Sequence, residues 1–217
     1  MKKEIQDEIA KGGIIAVLEI EKEQNAVPLA KALLEGGINV IELALRTSAA
    51  FPSISLIAKE VPQMFIGAGT IIEPGQAKKV KKEKGARFGV SPGINPKIVK
   101  EAIAADLPFA PGIATPSEIE QAIALGCRLV KFFPAEGLGG LSYLKNINAP
   151  YNHLGMRYIP LGGVSAENLA DYAKFNPVLA IGGSWIATKE LIKAENWTEI
   201  TRRAREAKDI WESCRRL

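Results

Sequence analysis

A lysine stands inside an otherwise apolar run, LVKFFPAE at residues 129–136. Leu129, Val130, Phe132 and Phe133 read as a strand bound for a core, which leaves the charge of Lys131 almost nowhere to go. An ammonium in apolar surroundings is costly, so the neutral amine becomes accessible there, and a neutral amine attacks carbonyls and forms Schiff bases. A second polar intrusion lies in VIELALRT, residues 40–47. Alternate strand residues share a face, and that face reads Val40, Glu42, Ala44, Arg46. The carboxylate could carry a proton. The guanidinium could grip the carboxylate of a 2-oxo acid through its planar fork, and it would further disfavour an ammonium at Lys131. Plainer readings exist for both: Glu42 with Lys131 as a structural ion pair of little net stability, and Arg46 as a surface residue just past a strand.

Other polar or permissive residues fall at strand ends. Thr70 closes GAGT and Pro92 sits in SPG, where it stops the strand donating further. Gly162-Gly163 and Gly182-Gly183, with Ser184 after the second pair, offer bare backbone to which a phosphate could come close. The alternative is two tight turns. The chemistry these groups allow together is an aldol cleavage. Lys131 adds to the ketone of a 2-oxo acid whose carboxylate lies on Arg46. Glu42 takes the proton of the C4 hydroxyl, and the C3–C4 bond breaks into the iminium as electron sink. No cofactor is needed. No cysteine, histidine or carboxylate cluster has metal-ligand spacing, and the one histidine, His153, reads as a surface residue.

Something must bring residues 42, 131 and 162 together. Eight short β-type runs alternate with helix-type runs: 13–20, 40–45, 64–70, 87–93, 108–114, 129–136, 158–164 and 179–185. Between them lie helix signals. Thr115, Pro116, Glu118 and Gly126 punctuate one helix, and Asn95, Pro96 and Pro108 punctuate another. Ser165 is expected to start a helix over 165–175, and Gly36-Gly37 to cap one. Strands joined by helices form a parallel sheet. Eight such units without a linker predict a closed α/β (β/α)8 TIM barrel, one domain over residues 1–217. An open doubly wound sheet is the structural alternative, but no G-x-G-x-x-G follows the first strand. In a barrel the strand C-termini build the active site, and that is where the polar outliers gather.

The bulk composition is that of a globular chain, with 47% hydrophobic and 24% charged residues. The net charge of +4 suits an anionic substrate. Lysine and arginine concentrate in KKVKKEK (78–84) and in residues 201–217, both read as solvated helix faces. They carry no aromatic stacking pattern, so nucleic acid is not expected as a partner. Two cysteines make no disulfide framework. The N-terminal stretch has no apolar core of a signal peptide, and no run has the length of a membrane span, so a cytoplasmic, membrane-free protein is expected.

With these residues assembled, the sequence resembles the 2-keto-3-deoxy-6-phosphogluconate (KDPG) and 4-hydroxy-2-oxoglutarate aldolase family. The shared motifs are ELALRT (42–47), GAGT (67–70), SPG (91–93), PGIATPSE (111–118), KFFPAE (131–136), GGV (162–164) and GGSW (182–185). They keep the family's order over nearly the whole chain. The resemblance implies a barrel, usually a homotrimer, that cleaves the phosphorylated 2-keto acid to pyruvate and glyceraldehyde 3-phosphate. It implies Lys131 as the Schiff-base residue and Glu42 as acid and base. Arg46, Thr70, Pro92 and Phe133 would line the pyruvate end, with Leu161 at the middle of the substrate. Gly162, Gly163, Gly182, Gly183 and Ser184 would face the phosphate. One position departs: the family commonly has threonine before the GGV glycines, and here PLGG places Leu161. The lost hydroxyl opens two alternative substrates, the galactonate-derived epimer and unphosphorylated 4-hydroxy-2-oxoglutarate.

Overall fold

A computed structural model describes residues 1–83 and 85–215. Each of the eight expected β-type runs contains strand. The segments are β1 (Ile14–Leu18), β2 (Val40–Ala44), β3 (Phe65–Gly69), β4 (Phe88–Val90), β5 (Phe109–Ala110), β6 (Gly112–Ile113), β7 (Leu129–Phe132), β8 (Arg157–Pro160) and β9 (Ile181–Gly183). Pro111, which has no N–H to give a ladder, divides one barrel stave into β5 and β6. All pairings are parallel. One ladder runs β5-β4-β3-β2-β1-β9 and the other β6-β7-β8. The gap between β8 and the β9 run is closed by a parallel bridge, Tyr158 to Val178, and by the Leu179 N–H donating to the Tyr158 carbonyl at 2.9 Å. The sheet therefore curls into a (β/α)8 barrel.

The connecting helices are α1 (Lys3–Gly12), α2 (Ala26–Glu35), α3 (Ala50–Glu60), α4 (Gln76–Glu83), α5 (Pro96–Ala104), α6 (Pro116–Ala124), α7 (Gly140–Asn148), α8 (Leu169–Lys174), α9 (Lys189–Lys193) and α10 (Trp197–Arg215). The two predicted caps form. Asn95 accepts from the Lys97 N–H, and Thr115 with Glu118 makes a reciprocal capping box with Pro116 at the first turn. At Gly37, φ is +86°, as a helix exit requires. The helix expected over 165–175 begins only at Leu169. Ser165 starts a turn instead, its N–H taken by the Asn168 Oδ1 at 2.9 Å. Lys84 of the basic stretch, and residues 216–217 of the last helix pattern, lie outside the described residues. No helix among the described residues is long and apolar enough to cross a membrane.

Strand alternation sorts the core into two layers. Ile14, Ala16, Leu18, Ile41, Leu43, Val130, Phe132 and Tyr158 point outward into the layer shared with the helices. Ile15, Val40, Phe88, Val90, Ala110, Leu129, Ile159 and Leu161 fill the barrel itself. Helix α1 joins this inner cluster through Ile5 and Ile9 and so plugs the end where the strands begin. Fully burying a side chain such as Ile9 contributes about 1.5–3 kcal/mol. The opposite end, where the strands finish, is the one left for polar groups.

Candidate active site

Lys131 follows Leu129 by two residues, and Glu42 follows Val40 by two. Both therefore point into the barrel, one layer above its apolar filling. They stand on staves two and six, across the interior from each other. The Lys131 Nζ lies 2.9 Å from one Glu42 carboxylate oxygen and 3.2 Å from the other. Lys131 is 6% exposed and Glu42 3%, so the pair is closed off from bulk water. The plain structural reading of this pair expects little net stability, because desolvation offsets much of the attraction. A buried ammonium and carboxylate are thus no economical way to hold a barrel together.

Small residues around the pair make the room. Gly69 ends β3, and a β-carbon there would sit 2.2 Å from the Glu42 Oε1. Gly69→Ala is expected to push the carboxylate off the amine. A shift of about 1 Å at a reacting group can cost about 100-fold, so we expect kcat to fall by about 10–100-fold. The amine itself is untouched, and a borohydride-trapped pyruvate adduct is still expected on Lys131. Steady-state assays alongside adduct mass spectrometry check this pairing of outcomes.

The remaining predicted residues are distributed around the same mouth. Phe133 places its ring centroid 5.4 Å from the Lys131 Nζ, over which the cation can rest. Thr70, the residue after β3, has φ +59°. A β-branched residue in the left-handed region is a backbone outlier of the kind that gathers at functional sites. Pro92 follows β4 in a tight bend whose Ser91 hydroxyl donates to the Gly93 carbonyl at 2.7 Å. Gly112 lies so close that a β-carbon there would meet the Pro92 carbonyl oxygen at 2.1 Å.

Arg46 departs from expectation. Strand β2 ends at Ala44, and the Arg46 N–H folds back to the Ala44 carbonyl at 2.9 Å, so the alternating face stops before it. Its exposed guanidinium does not lie on the Lys131–Glu42 pair. It is ion-paired with Glu19 at 3.1 Å, and Glu19 also holds Lys189. Glu19, just past β1, went unassigned in the sequence, since nothing local marks its partner 27 residues on.

The two glycine pairs require glycine for different reasons. Gly162 and Gly163 have φ of +92° and +82°, so this turn needs glycine for its backbone. No acceptor among the described residues takes the Gly163 N–H. Gly182 and Gly183 instead make space. A β-carbon at Gly182 would meet Leu161 Cγ at 2.6 Å, and one at Gly183 would strike the Trp185 ring. Ser184 is exposed beyond them. Leu161 itself is buried in the inner cluster. Glu136, the last residue of KFFPAE, was not given a role by sequence reasoning. The Tyr172 hydroxyl donates to its carboxylate at 2.5 Å, and its N–H donates to the Gly162 carbonyl at 2.9 Å. Burial first, then that hydrogen bond and the nearby charge, raise the Tyr172 phenol well above its ordinary value, which keeps it a donor.

Residues 5–203 match the family described as KDPG and KHG aldolase. The chain is 42% identical over 196 residues to the KHG/KDPG aldolase of Escherichia coli K12, covering 90% of this chain and 91% of that protein. It is equally similar, 42% over 196 residues and the same shares, to the 2-dehydro-3-deoxy-phosphogluconate aldolase of Dickeya dadantii. Among solved structures, the KDPG aldolase of Legionella pneumophila, crystallised with pyruvate captured as a covalent carbinolamine, superposes with a TM-score of 0.89 at 36% identity, over 95% of this chain and 99% of that one.

Proposed function

Because the chain belongs to the KDPG and KHG aldolase family, we propose that its buried Lys131–Glu42 pair is the reacting centre of that chemistry. The protein is a Schiff-base aldolase, a carbon–carbon lyase that cleaves 2-keto-3-deoxy-6-phosphogluconate to pyruvate and glyceraldehyde 3-phosphate. The observation that carries the residue assignment is the 2.9 Å contact between an amine and a carboxylate closed off inside the barrel mouth.

Lys131 must give up a proton before it can attack, and the Glu42 carboxylate is the acceptor within reach. The amine adds to C2 of the keto acid to give a carbinolamine, and Glu42 returns its proton to the carbinolamine hydroxyl, which leaves as water to give the iminium. Glu42 then takes the C4 hydroxyl proton. The C3–C4 electron pair moves into the iminium, glyceraldehyde 3-phosphate leaves, and an enamine remains on Lys131. Protonation of the enamine at C3 and addition of water release pyruvate and restore the amine. Phe133 and the carbonyl-rich bend at Pro92 shape the apolar end for the pyruvyl group. Thr70, the residue after β3, stands at the same rim. Arg46 takes the substrate carboxylate in place of Glu19. The Gly162–Gly163 turn takes the phosphate, the Gly163 N–H being free to donate to it, with Gly182, Gly183 and Ser184 beside it.

Borohydride added with pyruvate tests the assignment. A reduced adduct on Lys131 is expected, and its absence across several pH values would remove the reading. The substrate's middle is read by Leu161, which replaces a hydroxyl with a buried isobutyl group. Leu161→Thr is therefore expected to shift kcat/KM between the gluconate-derived and galactonate-derived substrates by about 10-fold or more, as one gained or lost polar contact does. Unchanged ratios among these and 4-hydroxy-2-oxoglutarate would show that Leu161 does not set selectivity. The homotrimer and the cytoplasmic location remain part of the same proposal, supported by the family likeness. Sedimentation of the purified chain distinguishes a trimer from other states.

A further inference from the structure

At the end of the barrel where the strands begin, away from Lys131, a cavity of about 310 Å³ lies between the later turns of α1 and α10 and the first residue of β8. Among the described residues its lining includes four cationic side chains, Lys11, Arg157, Lys208 and Arg215, against one carboxylate, that of Glu212, with Trp211 as an aromatic wall. Two of the cations already have work. Lys208 donates to the Gly12 carbonyl at 2.8 Å and lies 3.7 Å from Glu212. Arg215 donates to the Val178 carbonyl and rests 4.6 Å from the Trp211 ring centroid.

Arg157 differs. Among the described residues its guanidinium makes no hydrogen bond or ion pair, and its Nε is buried without a partner. Burial pulls this guanidinium below its ordinary value, and it in turn depresses Arg215, whose own burial is the larger cause. Arginine stays charged nonetheless. A buried donor left unpaired is destabilising, and more so when it belongs to a charged group. Repulsion from Arg215 adds to that. The reaction at the other end of the barrel has no use for this charge, since barrel chemistry sits at the strand C-termini.

We propose that this cavity is a binding site for a phosphate dianion, free or as the phosphoryl end of a small metabolite, with the Arg157 guanidinium as its principal ligand. A planar fork suits two phosphate oxygens. Lys11, exposed at the rim, supplies a second cation, and the volume is at the small end of ligand pockets. The bound anion joins α1, α10 and β8, so it stabilises the folded chain by mass action.

The test is thermal unfolding of the full chain in inorganic phosphate against KCl of matched ionic strength, for the parent, Arg157→Met and Arg157→Gln. Any phosphate held at the active-site mouth raises all three midpoints alike, so the difference between parent and variants reads this cavity alone. The parent midpoint is expected to rise and saturate with phosphate, and both variants to lose at least half of that rise. Neither variant is expected to unfold without phosphate, because each removes a half-buried guanidinium whose Nε has no partner. A glycerol 3-phosphate arm identifies the source: a response at lower concentration than phosphate assigns an organic phosphate, an equal one assigns the free ion. Equal phosphate-dependent rises in parent and variants would overturn the proposal, as would an unshifted Arg157 Nε–H resonance in an NMR titration with phosphate.

Discussion

Replacing Lys131 with methionine is expected to lower kcat by on the order of 10⁴-fold or more, the scale on which removal of an attacking group is felt, and to abolish the borohydride adduct with pyruvate. Methionine keeps most of the stem's volume inside the barrel but has no amine to add to a ketone. Stability should move as well. The variant leaves Glu42 buried without its partner at 2.9 Å. Breaking one side of such a pair costs about 3–5 kcal/mol, whereas replacing both sides by well-packed hydrophobic residues is often neutral. Lys131→Met/Glu42→Leu is therefore expected to recover most of the stability lost by Lys131→Met and none of the activity. Chemical denaturation of the two variants beside the parent measures this. Residual turnover in Lys131→Met, with a trapped adduct at another lysine, would move the Schiff base elsewhere.

Much of this site can be read along the chain because each cue is local. Lys131 stands out against Leu129, Val130 and Phe132, and Glu42 against Val40 and Ile41. Both intrusions sit on inward faces set by strand alternation alone. The caps at Asn95 and Thr115 follow from side chains two or three residues away from the N–H groups that they satisfy. What stayed hidden depends on barrel closure or on departures from regular backbone. The Arg46–Glu19 pair joins the ends of two neighbouring staves, and alternation misplaces Arg46 because the strand ends two residues earlier. Tyr172 meets Glu136 only when α8 docks beside the turn after β7. Thr70 carries no mark of its left-handed backbone, since threonine is an ordinary strand residue elsewhere. Gly182 and Gly183 look like an anion turn in the sequence, while packing against Leu161 and Trp185 gives each a steric reason to be glycine. The cationic cavity at the far end draws on α1, β8 and α10, distant segments whose charges read separately as solvated.

Glu42→Gln separates the two jobs of the pair. Glutamine retains the shape and can still accept a hydrogen bond from Lys131, so the amine stays in place. It cannot take a proton from the C4 hydroxyl or return one to the enamine. Loss of a positioned acid–base group costs about 10²–10⁴-fold, and we expect kcat to fall within that range. A water entering with the substrate can take the Lys131 proton in place of Glu42, so iminium formation slows less than cleavage. With the six-carbon substrate, the uncleaved iminium should therefore accumulate, and borohydride should trap a larger fraction of the enzyme as that adduct than it does in the parent. Pyruvate alone gives a second reading. In deuterated water the parent should exchange the methyl protons of pyruvate through its enamine, and Glu42→Gln should slow that exchange along with cleavage. If cleavage slows while exchange keeps the parent's rate, Glu42 serves only the C4 hydroxyl and another group handles C3. If both rates are unchanged, the carboxylate is a counter-ion, and the proton carrier must be sought among the waters and hydroxyls at the Thr70 rim.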